Sequence, residues 1–225
     1  MLTGFEWTLA FGVLCCAAAL QGTVGFGYAI LAVPLLRIIE PELVPVAIQL
    51  TALAMTSSSL LRERSHLNLH GVGWVLAGRL PGVVIGLWLL KSLPTRSLSI
   101  AIAIGVLIGV AATLRGWSVP FTRLTQTTAG FTSGVTGTAA GIGGPPLALI
   151  YRERSGPEVR STVGAIFLGG LLMSLMGFSL TGEIQSDDLR AAGSLFPATL
   201  LGFWISGSLR HKVEGDRLEQ WIVGV

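Results

Sequence analysis

The stretch GVTGTAAGIGGPP, residues 134–146, decides the fold of this chain. It lies in the middle of an apolar run, residues 124–151, that contains no charged residue. Glycine is a poor helix former, and Pro145 and Pro146 have no N–H group to donate to a preceding turn. Because proline is best tolerated in the first turn of a helix, we expect one helix to end in the glycines and another to begin at the prolines.

A second stretch has the same character near the start of the chain. Residues 21–27 read QGTVGFG and lie inside the apolar run 7–36. A single helix over residues 7–39 would be about 50 Å long, which exceeds a hydrocarbon core of about 30 Å. We therefore predict that this stretch is also two half-helices joined by an unwound loop at membrane depth.

Composition places these stretches in a membrane. Apolar residues make up 51% of the 225-residue chain, charged residues only 12%, and the mean hydropathy is +0.71. Seven runs each carry at most one charge: residues 7–36, 43–61, 72–90, 97–114, 124–151, 161–182 and 191–209. Helical spans need about 20 apolar residues, and barrel strands would alternate in polarity. The sequence predicts an all-α polytopic membrane protein and excludes a soluble, nucleic-acid-binding or disulfide-stapled domain.

The chain contains an internal repeat. A shift of 116 residues without gaps superposes seven identical residues: Gly25 on Gly141, Gly27 on Gly143, Pro41 on Pro157, Glu42 on Glu158, Pro81 on Pro197, Gly86 on Gly202 and Trp88 on Trp204. We predict two homologous halves, residues 1–116 and 117–225, within one integral membrane domain. Each half has a broken stretch and three further helices, and the last helix, from Arg217, is incomplete. We expect that tail to lie along the membrane interface.

The orientation of the halves has two readings. If each broken stretch re-enters rather than crosses, the basic residues divide ten to four instead of nine to five, with Arg79 left out. The positive-inside rule therefore favours re-entry. Equivalent loops of the two halves also carry opposite net charge, which favours inverted repeats.

The broken stretches are the candidate binding site. Irregular backbone at membrane depth survives only where it is buried in protein or lines a wet cavity, and such interruptions in two halves indicate a transporter site. Glycines at tight helix crossings are the alternative. The candidate residues are Gly22, Thr23, Gly25, Gly27, Tyr28, Thr136, Gly137, Thr138, Gly141, Gly143, Gly144 and Pro145.

Two further polar residues lie within apolar runs. Arg79 is a costly charge inside a membrane helix, so it either faces a solute pathway as an anion partner or reaches back to the interface. Gln49 either reaches the cavity or bonds a neighbouring helix. The sequence has no metal-ligand spacing, nucleophile motif or phosphate loop, so we expect no metal, no cofactor and no catalytic residues.

The two glycine motifs, residues 22–28 running to Val33-Pro34-Leu35-Leu36, and residues 137–146, resemble those of the TauE/SafE family of sulfite exporters. The resemblance covers nearly the whole chain. It implies an inner-membrane permease for sulfite or a related sulfur-containing or organic anion, such as a sulfonate, with both repeats meeting at a central site.

The predicted function is therefore transport of a small anion. The expected partners are this solute and the lipid bilayer, not nucleic acid. A coupling ion, proton or sodium, and a homo-oligomeric state are compatible with this function. A membrane-embedded enzyme or a structural subunit of a membrane complex is the alternative.

Overall fold

The computed structural model describes residues 3–94, 119–151 and 154–213, with the isolated positions 100, 104, 107, 111 and 115. This part of the chain is helical and contains no strand. Its α-helices are α1 Gly4–Val24, α2 Tyr28–Ile39, α3 Val46–Arg62, α4 Val72–Ser92, α5 Arg123–Ala140, α6 Gly144–Tyr151, α7 Gly156–Thr181 and α8 Ser186–Val213. Most of the helix expected over residues 97–114 and the tail from Arg217 lie outside the described residues.

In the described part of the chain, four helices are long and apolar enough to cross a membrane. They are α1, α4, α7 and, within α8, residues Ser186–Arg210. Large apolar side chains cover the outside of the bundle, among them Ile38 and Leu180 at 81% exposure and Trp204 at 74%. Such a surface is unfavourable in water and suited to lipid. The expectation of an all-helical, multi-pass membrane protein is confirmed.

Both long stretches are broken where the sequence predicts. Helix α1 ends at Val24, the following Gly25 has a φ of +103°, and α2 begins at Tyr28. Helix α5 ends at Ala140, the following Gly141 has a φ of +79°, and α6 begins at Gly144. A left-handed residue after the last turn is the usual helix stop, and glycine adopts it without steric cost.

Two close helix pairs run parallel. Along α1 and α8, Cys15 packs on Gly202 and, further along both helices, Gly22 packs on Ser206. Along α4 and α5, a Cβ at Gly82 would lie 3.1 Å from Gly134, and Gly86 lies against Val135 and Thr138. Small residues permit this backbone approach, as in membrane helix packing generally.

The first broken stretch, α1 and α2, starts and finishes on the same side of the helix bundle. Glu40 and Glu42, which follow α2, share a pocket with Asp187 and Asp188 at the start of α8. Since α1 runs parallel to α8, α1 begins at that end too. We call this the acidic end.

The second broken stretch has both its ends opposite the acidic end. Tyr151 at the end of α6 stacks edge-on against Phe121, just before α5, with ring centroids 5.5 Å apart. Helix α4 ends at the acidic end, where Lys91 pairs with Glu183, so α4 starts at the opposite end. Helix α5 begins beside that start, with Arg123 over the Trp74 ring. We call this opposite end, which also carries Arg62 and Arg210, the basic end.

Candidate functional site

A cavity lies where the two broken stretches meet, inside the helix bundle. Its volume is about 50 Å³. It is therefore large enough for a small solute rather than for a single water molecule alone. Eight of the predicted site residues line it: Gly27, Tyr28, Gln49, Arg79, Gly137, Gly141, Gly143 and Gly144.

Arg79 supplies the positive charge of the cavity. The residue is 3% exposed, so it lies in the bundle interior and not at the membrane interface. Its Nη1 donates a 3.0 Å hydrogen bond to the Ser133 hydroxyl. Nη2 points between Gly137 and Gly143, since Cβ atoms added there would lie 3.0 Å and 3.5 Å from it. Within the described residues, Nη2 has no hydrogen-bond partner and no carboxylate forms a salt bridge with Arg79.

The start of α2 contributes backbone donors. The N–H of Tyr28 donates to the side-chain oxygen of Gln21 at 3.1 Å, and that of Leu31 donates to the Gly27 carbonyl. The N–H groups of Ala29 and Ile30 lie between them in the first turn, where no helix carbonyl can accept their hydrogen bonds. Both residues line the cavity. The partial positive charge of the helix N-terminus therefore adds to that of Arg79.

Gln49 lines the cavity and contacts the second broken stretch. Its Nε2 donates a 2.9 Å hydrogen bond to the Gly137 carbonyl, while its Oε1 is buried without a partner among the described residues. A carbonyl cannot donate, so this bond fixes which end of the amide carries the oxygen. The bond joins α3 to the second broken stretch beside the cavity.

Glycines in the second break allow the close approach of Arg79. The hydroxyl of Ser133 donates to the Gly143 carbonyl at 2.6 Å and thereby joins the loop to α5. A Cβ at Gly143 would lie 2.9 Å from the Ser133 oxygen. Any side chain at Gly143 would therefore push against the hydroxyl that holds the arginine.

Six predicted site residues lie outside the cavity lining: Gly22, Thr23, Gly25, Thr136, Thr138 and Pro145. The hydroxyls of Thr23 and Thr136 donate to the carbonyls of Ala19 and Thr132, four residues earlier. That of Thr138 pairs with Ser174 at 2.8 Å.

Gly22 and Gly25 allow neighbouring side chains to pack closely against the end of α1. Gly22 packs against Ser206, and Gly25 lies beside Arg160, whose Cγ would be 2.8 Å from an added Cβ. Pro145 stays in the first turn of α6.

Sequence reasoning missed several lining residues. Gln21, Ala29, Ile30, Ala52, Thr56, Phe167 and Leu171 also line the cavity. Gln21 and Thr56 are polar residues within apolar runs, the signal that singled out Gln49. The apolar members carry no sequence signal, because only the rotation of their helices turns them inward.

A buried ionic cluster lies near the end of α1. The Glu63 carboxylate accepts 2.8 Å hydrogen bonds at both oxygens from Nε of Arg160, and a 3.0 Å bond from Arg210. Arg160 also donates to the Thr23 carbonyl at 3.1 Å, and Arg62 donates to that of Gly22 at 2.6 Å. Cations favour the negative end of a helix dipole. The cluster ties the last turn of α1 to α3, α7 and α8.

Two discontinuous apolar stretches that meet at a cavity in a bundle of membrane helices are typical of membrane transporters. A family model described as "Sulfite exporter TauE/SafE" matches residues 10–225. The chain therefore belongs to the TauE/SafE sulfite exporter family, a family of membrane transporters. No curated protein and no solved structure matches the chain.

Proposed function

We propose that the chain transports a small oxyanion, sulfite or a related sulfur-containing anion, through the cavity between the two breaks. The observation that carries the proposal is a buried arginine, Arg79, whose Nη2 is free to bind a ligand and which has no carboxylate partner in the described part of the chain. A buried unpaired charge is costly, and an anionic solute compensates it.

The size and donors of the cavity support the same solute class. A cavity of about 50 Å³ suits a small anion of one central atom and a few oxygens. Arginine and backbone N–H groups are the donors that bind oxyanions most strongly in a site shielded from water. Membership of a sulfite exporter family points to sulfite among such anions.

We also propose that the halves are inverted repeats in one membrane domain, located in the inner membrane. The 116-residue shift carries Gly25, which ends α1, onto Gly141, which ends α5. The same shift relates α3 to α7 and α4 to α8. It also relates the parallel pair α1 and α8 to the parallel pair α5 and α4, which supports two halves in opposite orientations.

Binding of anions to variants of Arg79 tests the proposed function. In detergent, sulfite should raise the melting temperature of the wild-type protein, because a ligand that binds the folded state stabilises it. Arg79→Lys should weaken binding, since lysine lacks the planar fork, and Arg79→Leu should weaken it by at least about tenfold.

The matched control for these variants is Arg64→Leu, which changes an exposed arginine at the end of α3 and should bind like the wild type. Unchanged sulfite binding and transport in Arg79→Leu would show that the cavity is not the anion site.

A further inference from the structure

Gln21 lies beside the cavity with an unused hydrogen-bond donor. The residue is in the last turn of α1, is only 7% exposed and lines the cavity. Its Oε1 accepts the N–H of Tyr28 at 3.1 Å. Its Nε2 makes no hydrogen bond in the described part of the chain and, unlike Oε1 of Gln49, is not sealed by its neighbours. The amide nitrogen is therefore available to a molecule in the cavity.

The bond to Tyr28 determines which atom of the Gln21 amide is available. A backbone N–H only donates, so the amide atom that it contacts is the oxygen and the other atom is the nitrogen. Turning the amide around would set two N–H groups against each other. The nitrogen therefore remains a donor, and in the bundle interior it gains from a ligand that accepts its hydrogen bond, because an unmade buried bond costs more than a made one contributes.

Resting on the proposed function, we propose that Gln21 binds the transported anion, with its Nε2 donating to one oxygen while Nη2 of Arg79 donates to another. The two donors come from different parts of the fold. Gln21 belongs to the first broken stretch, whereas Nη2 of Arg79 lies against Gly137 and Gly143 of the second. A small oxyanion that accepts from both donors joins the two stretches.

A neutral donor matches the charge of the cavity. Arg79 is the one basic residue among the described residues that line it, and none of them is acidic. A monoanion balances this single charge, whereas a second cation would leave an uncompensated charge in the interior. The amide of Gln21 adds a hydrogen bond to the anion and leaves the charge of the complex balanced.

Capping of α2 is a second role of the same side chain. The first N–H groups of a helix have no carbonyl of that helix to accept their hydrogen bonds, and Oε1 of Gln21 accepts that of Tyr28. Loss of this cap alone would lower stability and displace the start of α2. An experiment on Gln21 must therefore observe the nitrogen itself, and not only the effect of removing the side chain.

Nuclear magnetic resonance of the wild-type protein observes this nitrogen directly. With ¹⁵N-glutamine labelling, the full-length protein in detergent gives few side-chain amide signals, because the chain has five glutamines: Gln21, Gln49, Gln126, Gln185 and Gln220. The Gln21 signal is identified by its absence in Gln21→Glu, a variant that keeps an acceptor for Tyr28. Sulfite should move an Nε2 proton of Gln21 downfield, because a hydrogen bond to an anion is charge-assisted and strong.

Gln49 is the internal control for simple proximity to the anion. It lines the same cavity, but its Nε2 already donates to the Gly137 carbonyl and its Oε1 is sealed. Its signal should move much less than that of Gln21. An unmoved Gln21 signal in protein saturated with sulfite, or equal movement of both signals, would overturn the proposal.

Affinity for sulfite gives a second measurement. Gln21→Met removes the donor without adding charge and should weaken binding by about three- to tenfold, the contribution of one hydrogen bond. The control is Gln126→Met, at a glutamine that is also buried but does not line the cavity, and it should bind like the wild type. Unchanged affinity in a folded Gln21→Met variant would also overturn the proposal.

The outcomes separate this inference from the proposed function. Sulfite binding that depends on Arg79 but leaves the Gln21 signal unmoved would overturn the inference alone. Absence of sulfite binding, or binding that does not depend on Arg79, would overturn the proposed function and this inference with it. Because the resonance measurement uses the wild-type protein, a poorly folded Gln21→Met variant does not protect the proposal.

Discussion

Arg79 reaches the cavity by passing a glycine of α7. A Cβ at Gly170 would overlap the guanidinium group of Arg79, whose Cδ would lie only 2.6 Å away. The neighbouring Gly169 is different, since a Cβ there would meet the flexible end of Leu76 at 3.0 Å. At residue scale, the position of the charge therefore depends on one missing methyl group in another helix.

Gly170→Ala should displace the Arg79 side chain and weaken sulfite binding by about tenfold or more, because overpacking a filled site costs roughly 1–3 kcal/mol. Isothermal titration of the purified protein measures this. Gly169→Ala is the matched control and should bind within about twofold of the wild type. Equal binding by both variants would contradict the described path of Arg79.

The sequence indicated Arg79 as a candidate site residue, but it could not identify the residues that hold its side chain in place. A lone charge in an apolar run is visible without a structure, whereas Gly170 and Ser133 look like any small residues in membrane helices. The hydroxyls of Thr23 and Thr136 show the opposite problem. Threonine hydroxyls can bind anions, yet each of these two donates to a carbonyl of its own helix. The sequence does not tell which of the two partners such a hydroxyl takes.

At the scale of the element, the two left-handed glycines end α1 and α5. Gly141→Ala should destabilise the protein by about 1–2 kcal/mol, the cost of the left-handed conformation for a residue with a Cβ. A Cβ there makes ordinary 3.4 Å contacts with Ile48 and Val33, so backbone strain dominates. Gly141→Asn should cost less, because asparagine tolerates this conformation. Reversible unfolding in mixed micelles measures the difference.

Gly12 provides the control within a helix. It lies inside α1, has no neighbour within 4 Å of an added Cβ, and has a helical backbone. Gly12→Ala should therefore be neutral or stabilise by up to about 1 kcal/mol. If Gly141→Ala is as harmless as Gly12→Ala, the break does not require a left-handed residue.

The ionic cluster that holds the end of α1 gives a second test at this scale. Glu63→Gln removes the carboxylate that both Arg160 and Arg210 bind, in a site where Glu63 is 4% exposed. Breaking a buried ion pair by removing one partner typically costs about 3–5 kcal/mol. We expect a loss of that order in the free energy of unfolding.

An exposed ion pair supplies the comparison for Glu63. Asp187 and Arg190 form a 3.2 Å pair with side chains that are 66% and 70% exposed. Asp187→Asn should change stability by less than about 1 kcal/mol. Similar effects of Glu63→Gln and Asp187→Asn would show that the cluster does not hold α1 in place.

The elements themselves were largely predictable. The breaks in the two long stretches depend on a few neighbouring glycine and proline residues. The sequence therefore located both breaks to within one helical turn. The ionic cluster was not predictable, because Glu63 and Arg160 are 97 residues apart and each lies beside a loop, where charges are ordinary. Local chemistry determines where a helix stops, and long-range packing determines what the end touches.

At the scale of the whole molecule, charge is divided between the two ends of the bundle. Glu40, Glu42, Asp187 and Asp188 lie at the acidic end, and the cluster around Arg62, Arg160 and Arg210 lies at the basic end. From the positive-inside rule we expect the basic end to face the cytoplasm. The sequence favoured the inverted arrangement from the charges of equivalent loops, and the parallel pairing of α1 with α8 and of α4 with α5 now supports it.

Thiol labelling in intact cells tests this arrangement of the halves. With Cys15 and Cys16 replaced by alanine, single cysteines at the exposed positions Thr3 and Ser186 should react with a membrane-impermeant reagent from outside. Single cysteines at Ser65 and Thr122 should react only after the membrane is opened. Thr3 and Thr122 precede α1 and α5, the equivalent first helices of the two halves.

The comparison of Thr3 with Thr122 therefore decides between inverted and parallel halves. Inverted halves place these positions on opposite faces of the membrane, because α1 starts at the acidic end and α5 at the basic end. Parallel halves would place both on one face and give them the same labelling. Ser186 serves as the internal control for the acidic end, since it begins α8 alongside α1, and labelling of Thr3 and Ser186 from different sides would contradict the fold itself.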